Sequence, residues 1–492
     1  MWETDERDFV HLKQPDSMDL RDIDRRKRPF RDIPCVLLFM GVLGMCAMII
    51  AIAFTYGNPA ALPSPTITWL EDELETFTIN EISILKHDLP AITIALLIAL
   101  LLAFMWFQLF KRLTLAIVYS TLAFATTALI LLGVYLFVAG SRNHTTELKF
   151  IAIFLWAVSA SVLFVGYMLW NKMKFTAQII RQAGEVLQKN PVILTITATT
   201  CCVYLITLLF WILSFIYLYS VPNTAHFLSV VDSTVIIRNF FNENYQTLFW
   251  ILLVGGLWVL PMIHAIEQYV IASVVIQEME FIHQGRTRRR NVALTAAKEA
   301  FSTSFGSLAF GSSLIAITQI IAVVAKYLKP EGTGAWRDNF FVRLILRFMT
   351  FLLEVVTDFS FINVALTGNS FIQSSREIMK LLSVETARTI LLEIVLSYVL
   401  LLGQLCGTAI ITLFTIYVIE AKHLHVGVIS VIVISISTFL LFSVISKAIL
   451  VTANTILVFT INDFTMDHDS NEFKTPSPLK DIVITQLLPN KK

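Results

Sequence analysis

Charge is scarce in this sequence: 37 lysines and arginines face 36 aspartates and glutamates in 492 residues, so charged residues make up 15% and the net charge is +1. An ordinary soluble domain carries roughly 25%, and a nucleic-acid binder needs a basic surplus that is missing here, so neither class fits. Cysteine is also sparse. All five, Cys35, Cys46, Cys201, Cys202 and Cys406, lie in or beside long apolar runs, which leaves no disulfide framework to read. There is no glycine-rich phosphate loop, no His-Glu-x-x-His pair, no Cys-x-x-Cys pair and no nucleophile elbow. His264–Gln268, HAIEQ, has the wrong spacing for a zinc helix. Neither metal nor cofactor is therefore expected, and the chain does not read as an enzyme.

Apolar length is what the chain has instead, with 56% hydrophobic residues. A helix crosses the hydrocarbon with about 20 apolar residues. Ten stretches qualify: 33–56, 90–110, 113–139, 150–170, 191–219, 247–275, 303–325, 352–370, 390–419 and 426–450. The fold class expected is all-α, a polytopic membrane helix bundle of about ten transmembrane helices. The first stretch does not read as a cleavable signal, because more than thirty mostly polar residues precede it. Lysines and arginines gather at Arg25–Arg31, Lys111–Arg112, Lys172–Lys189, Arg286–Arg290 and Arg376–Arg388, on one side of such a bundle. The positive-inside rule then places both termini in the cytoplasm. The expected organisation is a tail over 1–32, a transmembrane domain over 33–455 and a second tail over 456–492. The acidic run WLEDELE at 69–75 and the glycosylation candidate Asn143, in Asn143-His144-Thr145, fall outside.

Residues 340–358 carry Arg343 and Arg347 one turn apart, then Glu354 and Asp358 in the same relation. They read as a surface helix with a charged face leading into the eighth span. The seventh, SFGSLAFGSSLIAITQII at 304–321, opens on glycine and serine. At 3.6 residues per turn, Ser304, Ser307, Gly311 and Thr318 lie near one line, with Gly306, Ala309, Ser313 and Ala316 on a second. Lipid gives helices little hydrophobic reason to associate, so small faces that permit close backbone approach supply the attraction. Gly306, Ser307, Gly311 and Ser312 are the expected packing positions. The plainer role of this face is a tight seam; the sharper one is a sliding or pathway-lining surface.

Polar groups inside the spans complete the reading: His264, Glu267 and Gln268 in the sixth, Gln319 in the seventh, Glu393 and Gln404 in the ninth. An intramembrane carboxylate marks a pathway by default. The plainer account of Glu267 and Glu393 is pairing with Arg288 or Arg388 at the cytoplasmic ends. Aromatic faces attract cations through the ring quadrupole, and Trp258, Tyr204 and Tyr398 fall nearer mid-depth than the interfacial Trp106, Trp170 and Trp250.

GSLAFGS at 306–312, continuing to AITQII at 316–321, resembles the signature helix of the choline transporter-like family. RDIPCVLLFM…FTYGNP at 31–59 resembles that family's first span; NVALTGNSFIQSSREIMKLL at 363–382 and SYVLLLGQLCG at 397–407 resemble two more of its segments. The resemblance implies a plasma-membrane carrier of choline, with ethanolamine and proton exchange as further implications. Its substrate pathway would use Trp258, Glu267, Glu393, Tyr398, Tyr204, Gln319 and Gln404, with the cation between the sixth and ninth spans. Residues 57–89 are short and cysteine-free, as in compact fungal or protist members, rather than the large cysteine-rich outer loop of animal members. Gln277-Glu278 replaces the family's Trp-Tyr pair, and Gln404 stands where a lysine usually follows Gly403. A channel or lipid-moving pore and a non-transporting membrane scaffold are the alternatives that the residues alone leave open.

Overall fold

The computed structural model describes residues 30–57, parts of 93–142, and residues 146–168, 170–221, 232–284, 291–327, 340–421 and 428–466. Every regular element among them is helical. In chain order these are α1 (Ile33–Tyr56), α2 (Leu129–Arg142), α3 (Thr146–Met168), α4 (Trp170–Lys189), α5 (Val192–Ser220) and α6 (Asp232–Gln284). They continue with α7 (Val292–Phe301), α8 (Phe305–Tyr327), α9 (Phe340–Thr367), α10 (Phe371–Ala421) and α11 (Val428–Met466).

Five of the described helices are long and apolar enough to cross a membrane: Ile33–Tyr56, Val192–Ser220, Gln246–Phe281, Leu396–Tyr417 and Val431–Asn462. Two bent pairs raise the number to seven, Val292–Phe301 with Phe305–Ile321 at 71° and Leu352–Thr367 with Phe371–Lys380 at 111°. The expected stretches 90–110 and 113–139 fall largely outside the described residues, and 150–170 corresponds to the 23-residue α3.

Several elements outrun their sequence boundaries. The expected span 247–275 is the middle of a 53-residue helix, and the last helix runs on to Met466. Residues 340–358 make up about two-thirds of the 28-residue α9, which runs without a break into the expected eighth span. The expected seventh span does not begin at 303: residues 302–304 form a turn and α8 starts at Phe305. Ser304 therefore leaves the helix face on which the 3.6-residue spacing put it.

Helix α6 is the hub, packing against α1, α5, α7, α8, α9 and α11, while α10 packs mainly on α9 and α11. The core that results holds Phe39, Trp258, Tyr269, Phe359, Phe361 and Phe371 among its large side chains. Hydroxyls inside it return to their own helices: Thr357 donates to Leu353, Ser360 to Val356, Thr438 to Ile434 and Thr455 to Val451. In a bundle without water, a backbone carbonyl one turn away is the nearest available acceptor.

The small face of α8 is a seam. A Cβ at Gly311 would run into the rings of Phe361 and Phe371, and one at Gly306 into the carbonyl oxygens of Arg31 and Asp32. Absent side chains let α9, the start of α10 and the start of α1 close on α8. Ser313, which the spacing placed beside Gly306, is only half-buried and donates to Phe310 O at 2.6 Å in its own helix.

Candidate functional site

Two polar clusters interrupt this apolar bundle. The first gathers on α6, α9 and α11. Glu267 has a side chain with 0% exposure, and its Oε2 receives the Lys447 ammonium of α11 at 2.5 Å. His264, one turn earlier on α6, brings Nδ1 to 3.6 Å from the same oxygen. The other imidazole nitrogen lies 3.9 Å from Asp358 Oδ1 on α9 and 2.9 Å from Gln268 Nε2. Gln268 and Asp358 thus face the same imidazole, and Glu354, one turn before Asp358, is within electrostatic reach of both Asp358 and His264. Cys201 of α5 is within similar reach of Glu267 and Lys447.

Local sequence explains how α6 serves this cluster. Pro261 sits inside the helix between Trp258 and His264, and proline withholds the N–H that would bond the carbonyl four residues back. His264, Glu267 and Gln268 are spaced to share the face just beyond it. Three carboxyls meet one ammonium and one imidazole. Charges taken out of water need partners, so this acidic surplus is a place that draws cations or protons. One further feature points the same way: Glu267 Oε1 is buried and has no hydrogen-bond partner among the described residues.

The second cluster ties the helix breaks together. Asp32, just ahead of α1, is held at φ 56° in the left-handed region. Its Oδ2 accepts from Ser307 Oγ at 2.6 Å and from the Phe371 backbone N–H at 3.2 Å. Arg31 Nη1 donates to Asn369 Oδ1 at 3.4 Å. Glu377 spans the α9–α10 break, accepting from Asn363 Nδ2 at 2.8 Å and Asn369 Nδ2 at 3.1 Å. Gly368, with φ 70°, supplies the left-handed residue that ends α9, and its N–H bonds Val364 O at 2.9 Å. At the other break Ser304 Oγ bonds Tyr269 Oη at 3.0 Å, and Tyr269 donates to Glu299 Oε2 at 3.4 Å. One carboxylate thus meets the first turns of α8 and α10, the electropositive ends of both helices. Three of the stretches singled out in the sequence, 31–59, 306–321 and 363–382, converge here.

The sequence-derived residues divide accordingly. Glu267 is central, and its partners among the described residues are Lys447 and His264; Arg288 and the Arg388 side chain lie outside the described residues. Trp258 is buried at 5% exposure, where its indole N–H meets Ala309 O at 3.1 Å and Ser312 Oγ at 3.2 Å. Phe39 touches its ring edge-on at 5.4 Å and 76°. Trp258 locks α6 to α8 and α1. Tyr204 and Tyr398 are 38% and 41% exposed on the outside of α5 and α10, away from that ring. Gln319 on α8 and Gln404 on α10 are half-buried and take no part in the contacts around Glu267. Glu393 belongs to α10, and its side chain and Asn143 lie outside the described ones. Gly306, Ser307, Gly311 and Ser312 are all buried. Among the described side chains, those around Glu267 come from α6, α9 and α11; the expected placement between the sixth and ninth spans also involves Glu393 of α10, whose side chain lies outside them. Sequence reading missed Lys447, although a lone lysine within the apolar run 426–450 is the signal that should have found it. It also missed Asp32, whose place before a Pro34-containing helix start looked like an ordinary polar tail.

Membrane-capable helices, two broken helix pairs and charge enclosed between packed helices define a polytopic α-helical membrane protein of the transporter class. Residues 153–464 match the family described as plasma-membrane choline transporter, and the chain belongs to that family. A CTL-like protein of Dictyostelium discoideum is 25% identical over 484 residues, covering 92% of this chain and 88% of its own length. Choline transporter-like protein 2 of Danio rerio is 33% identical over 119 residues, 23% of this chain and 17% of that protein. Protein PNS1 of Debaryomyces hansenii is 29% identical over 99 residues, 19% of each chain.

Proposed function

We propose that this protein carries choline, or a related small organic cation such as ethanolamine, across the plasma membrane in exchange for protons. The observation that carries this reading is the acidic surplus at Glu267, Asp358 and Glu354, enclosed between α6, α9 and α11. A permanent cation offers no headgroup hydrogen-bond donor, so charge must hold it. His264 stands between two carboxyls on different helices, 3.6 Å from Glu267 Oε2 and 3.9 Å from Asp358 Oδ1, and so links the two acids that would face the cation. The breaks at 302–304 and 368–370 supply joints about which the bundle rearranges.

The test is uptake of labelled choline into vesicles holding the purified chain, with and without an imposed pH gradient. Saturable, competable and gradient-stimulated uptake supports the reading. Linear flux would make the protein a pore, and no flux a scaffold. The ten-span arrangement with cytoplasmic termini is checked separately. An epitope near Ser64 is expected to be accessible on intact cells and one after Asn471 only after permeabilisation; the reverse pattern overturns it.

A further inference from the structure

Resting on that reading, we infer that the Lys447 ammonium is a tethered occupant of the Glu267 site, which a transported organic cation must displace. Two properties of the pair support this. Glu267 is wholly enclosed, with 0% of its side chain exposed, whereas Lys447 keeps 36% of its side chain exposed. The anion is fixed, and the cation that covers it reaches outward on a long, freely rotating stem. The carboxylate is also incompletely used: Lys447 and His264 both address Oε2, while Oε1 is buried without a partner among the described residues. A site evolved only to neutralise a lysine would be expected to satisfy both oxygens.

A quaternary ammonium competes with the resident ammonium for Glu267, because the carboxylate carries a single negative charge that Lys447 already neutralises. Lys447 therefore has to leave, and it has somewhere to go. Asp358 on α9 is within electrostatic reach of Lys447, and its side chain is 30% exposed. Moving the ammonium from Glu267 towards Asp358 leaves both carboxylates matched when the substrate cation sits on Glu267. The same exchange changes which helix α11 is tied to, from α6 to α9, so occupancy of the site is coupled to helix packing. On substrate release the lysine returns and closes the carboxylate behind it. The charged and titratable groups around this exchange are His264 and Glu267 on α6, Glu354 and Asp358 on α9, and Cys201 on α5.

The decisive measurement uses the unaltered full-length protein in vesicles. A water-soluble amine-acylating reagent is applied with and without saturating choline, and modification of Lys447 is read by mass spectrometry against Lys189 and Lys298 as internal references. Choline is expected to raise the Lys447 modification rate severalfold, and Glu267→Gln to abolish the choline effect. In transport, Lys447→Met is expected to lower the half-saturating choline concentration about tenfold, the change that follows if the lysine occupies the site about nine-tenths of the time. A lysine with only a structural role would leave that concentration unchanged or raise it. Saturable choline uptake with unchanged or reduced Lys447 modification overturns this inference alone. If Lys447→Met does not reach the membrane, the labelling result decides. Absence of choline uptake by the unaltered protein instead overturns the functional reading, and this inference with it.

Discussion

Two carboxylates organise this bundle, and they are answered in opposite ways. Asp32 is met by neutral donors, a serine hydroxyl and a backbone N–H, at the starts of two helices. Those donors are fixed by the helices that carry them and cannot leave. Glu267 is met by an imidazole and by a lysine ammonium whose long side chain can change position, and one of its oxygens has no partner among the described residues. The first arrangement is a staple and the second an exchange site. The difference lies in the kind of partner, since in both cases the acid comes from one helix and its answer from sequence far away.

Breaking the exchange site is expected to have the largest effect. Lys447→Met strands a wholly buried carboxylate, and loss of one partner of a buried pair typically costs about 3–5 kcal/mol. Glu267→Gln strands the lysine instead. With 36% of its side chain exposed against none for Glu267, the lysine is the less enclosed partner, so this variant should cost clearly less. Thermal unfolding of both purified variants in the same detergent checks the asymmetry; equal losses would show that Lys447 is as confined as Glu267.

The staple side is next. Gly311→Leu inserts a branched side chain between the rings of Phe361 and Phe371, and overpacking costs about 1–3 kcal/mol. The expected outcome is sharply reduced surface abundance and transport. Normal abundance and transport would mean the seam opens at no cost. Asp32→Ala removes the acceptor that joins α8 to α10 and should cost about 1 to 2 kcal/mol. Asp32→Asn keeps an oxygen for the same donors and should be milder. If Asn proves as costly as Ala, the charge facing the two helix starts matters more than the hydrogen bonds.

These two sites also mark how far the sequence could be read. Apolar length located the spans at 33–56 and 191–219 to within a residue, because hydrocarbon thickness sets a length and composition reports it; the helices holding 247–275 and 426–450 run on to Gln284 and Met466. The small face at 306–312 was equally visible, since glycine and serine at helical spacing have few other uses in a span. What could not be read was pairing. Lys447 lies 180 positions from Glu267 and Ser307 lies 275 from Asp32, and no local period carries that information. Facing failed too. Tyr204 and Tyr398 stand in helices that are apolar all round, so depth could be inferred but not which side looks outward. The break at 368–370 had a signal in Gly368-Asn369-Ser370; the one at 302–304, built from serines and threonine, resembled the small face it interrupts.

The smallest effect expected separates two adjacent serines that the sequence could not rank. Ser312 Oγ receives the Trp258 indole N–H at 3.2 Å from another helix, while the Ser313 hydroxyl is spent on its own helix at Phe310 O. Ser312→Ala leaves Trp258 with Ala309 O at 3.1 Å as its remaining acceptor, so the indole is not orphaned. The loss should stay near 1 kcal/mol, the usual net worth of one hydrogen bond. Ser313→Ala removes no contact between helices and should be close to neutral. The comparison is read from thermal stability and from the half-saturating choline concentration. Because Trp258 anchors α6 against α8 rather than holding the cation, Ser312→Ala should lower stability and leave that concentration unchanged. A raised concentration at unchanged stability would return Trp258 to the substrate path and weaken the assignment of the site to α6, α9 and α11.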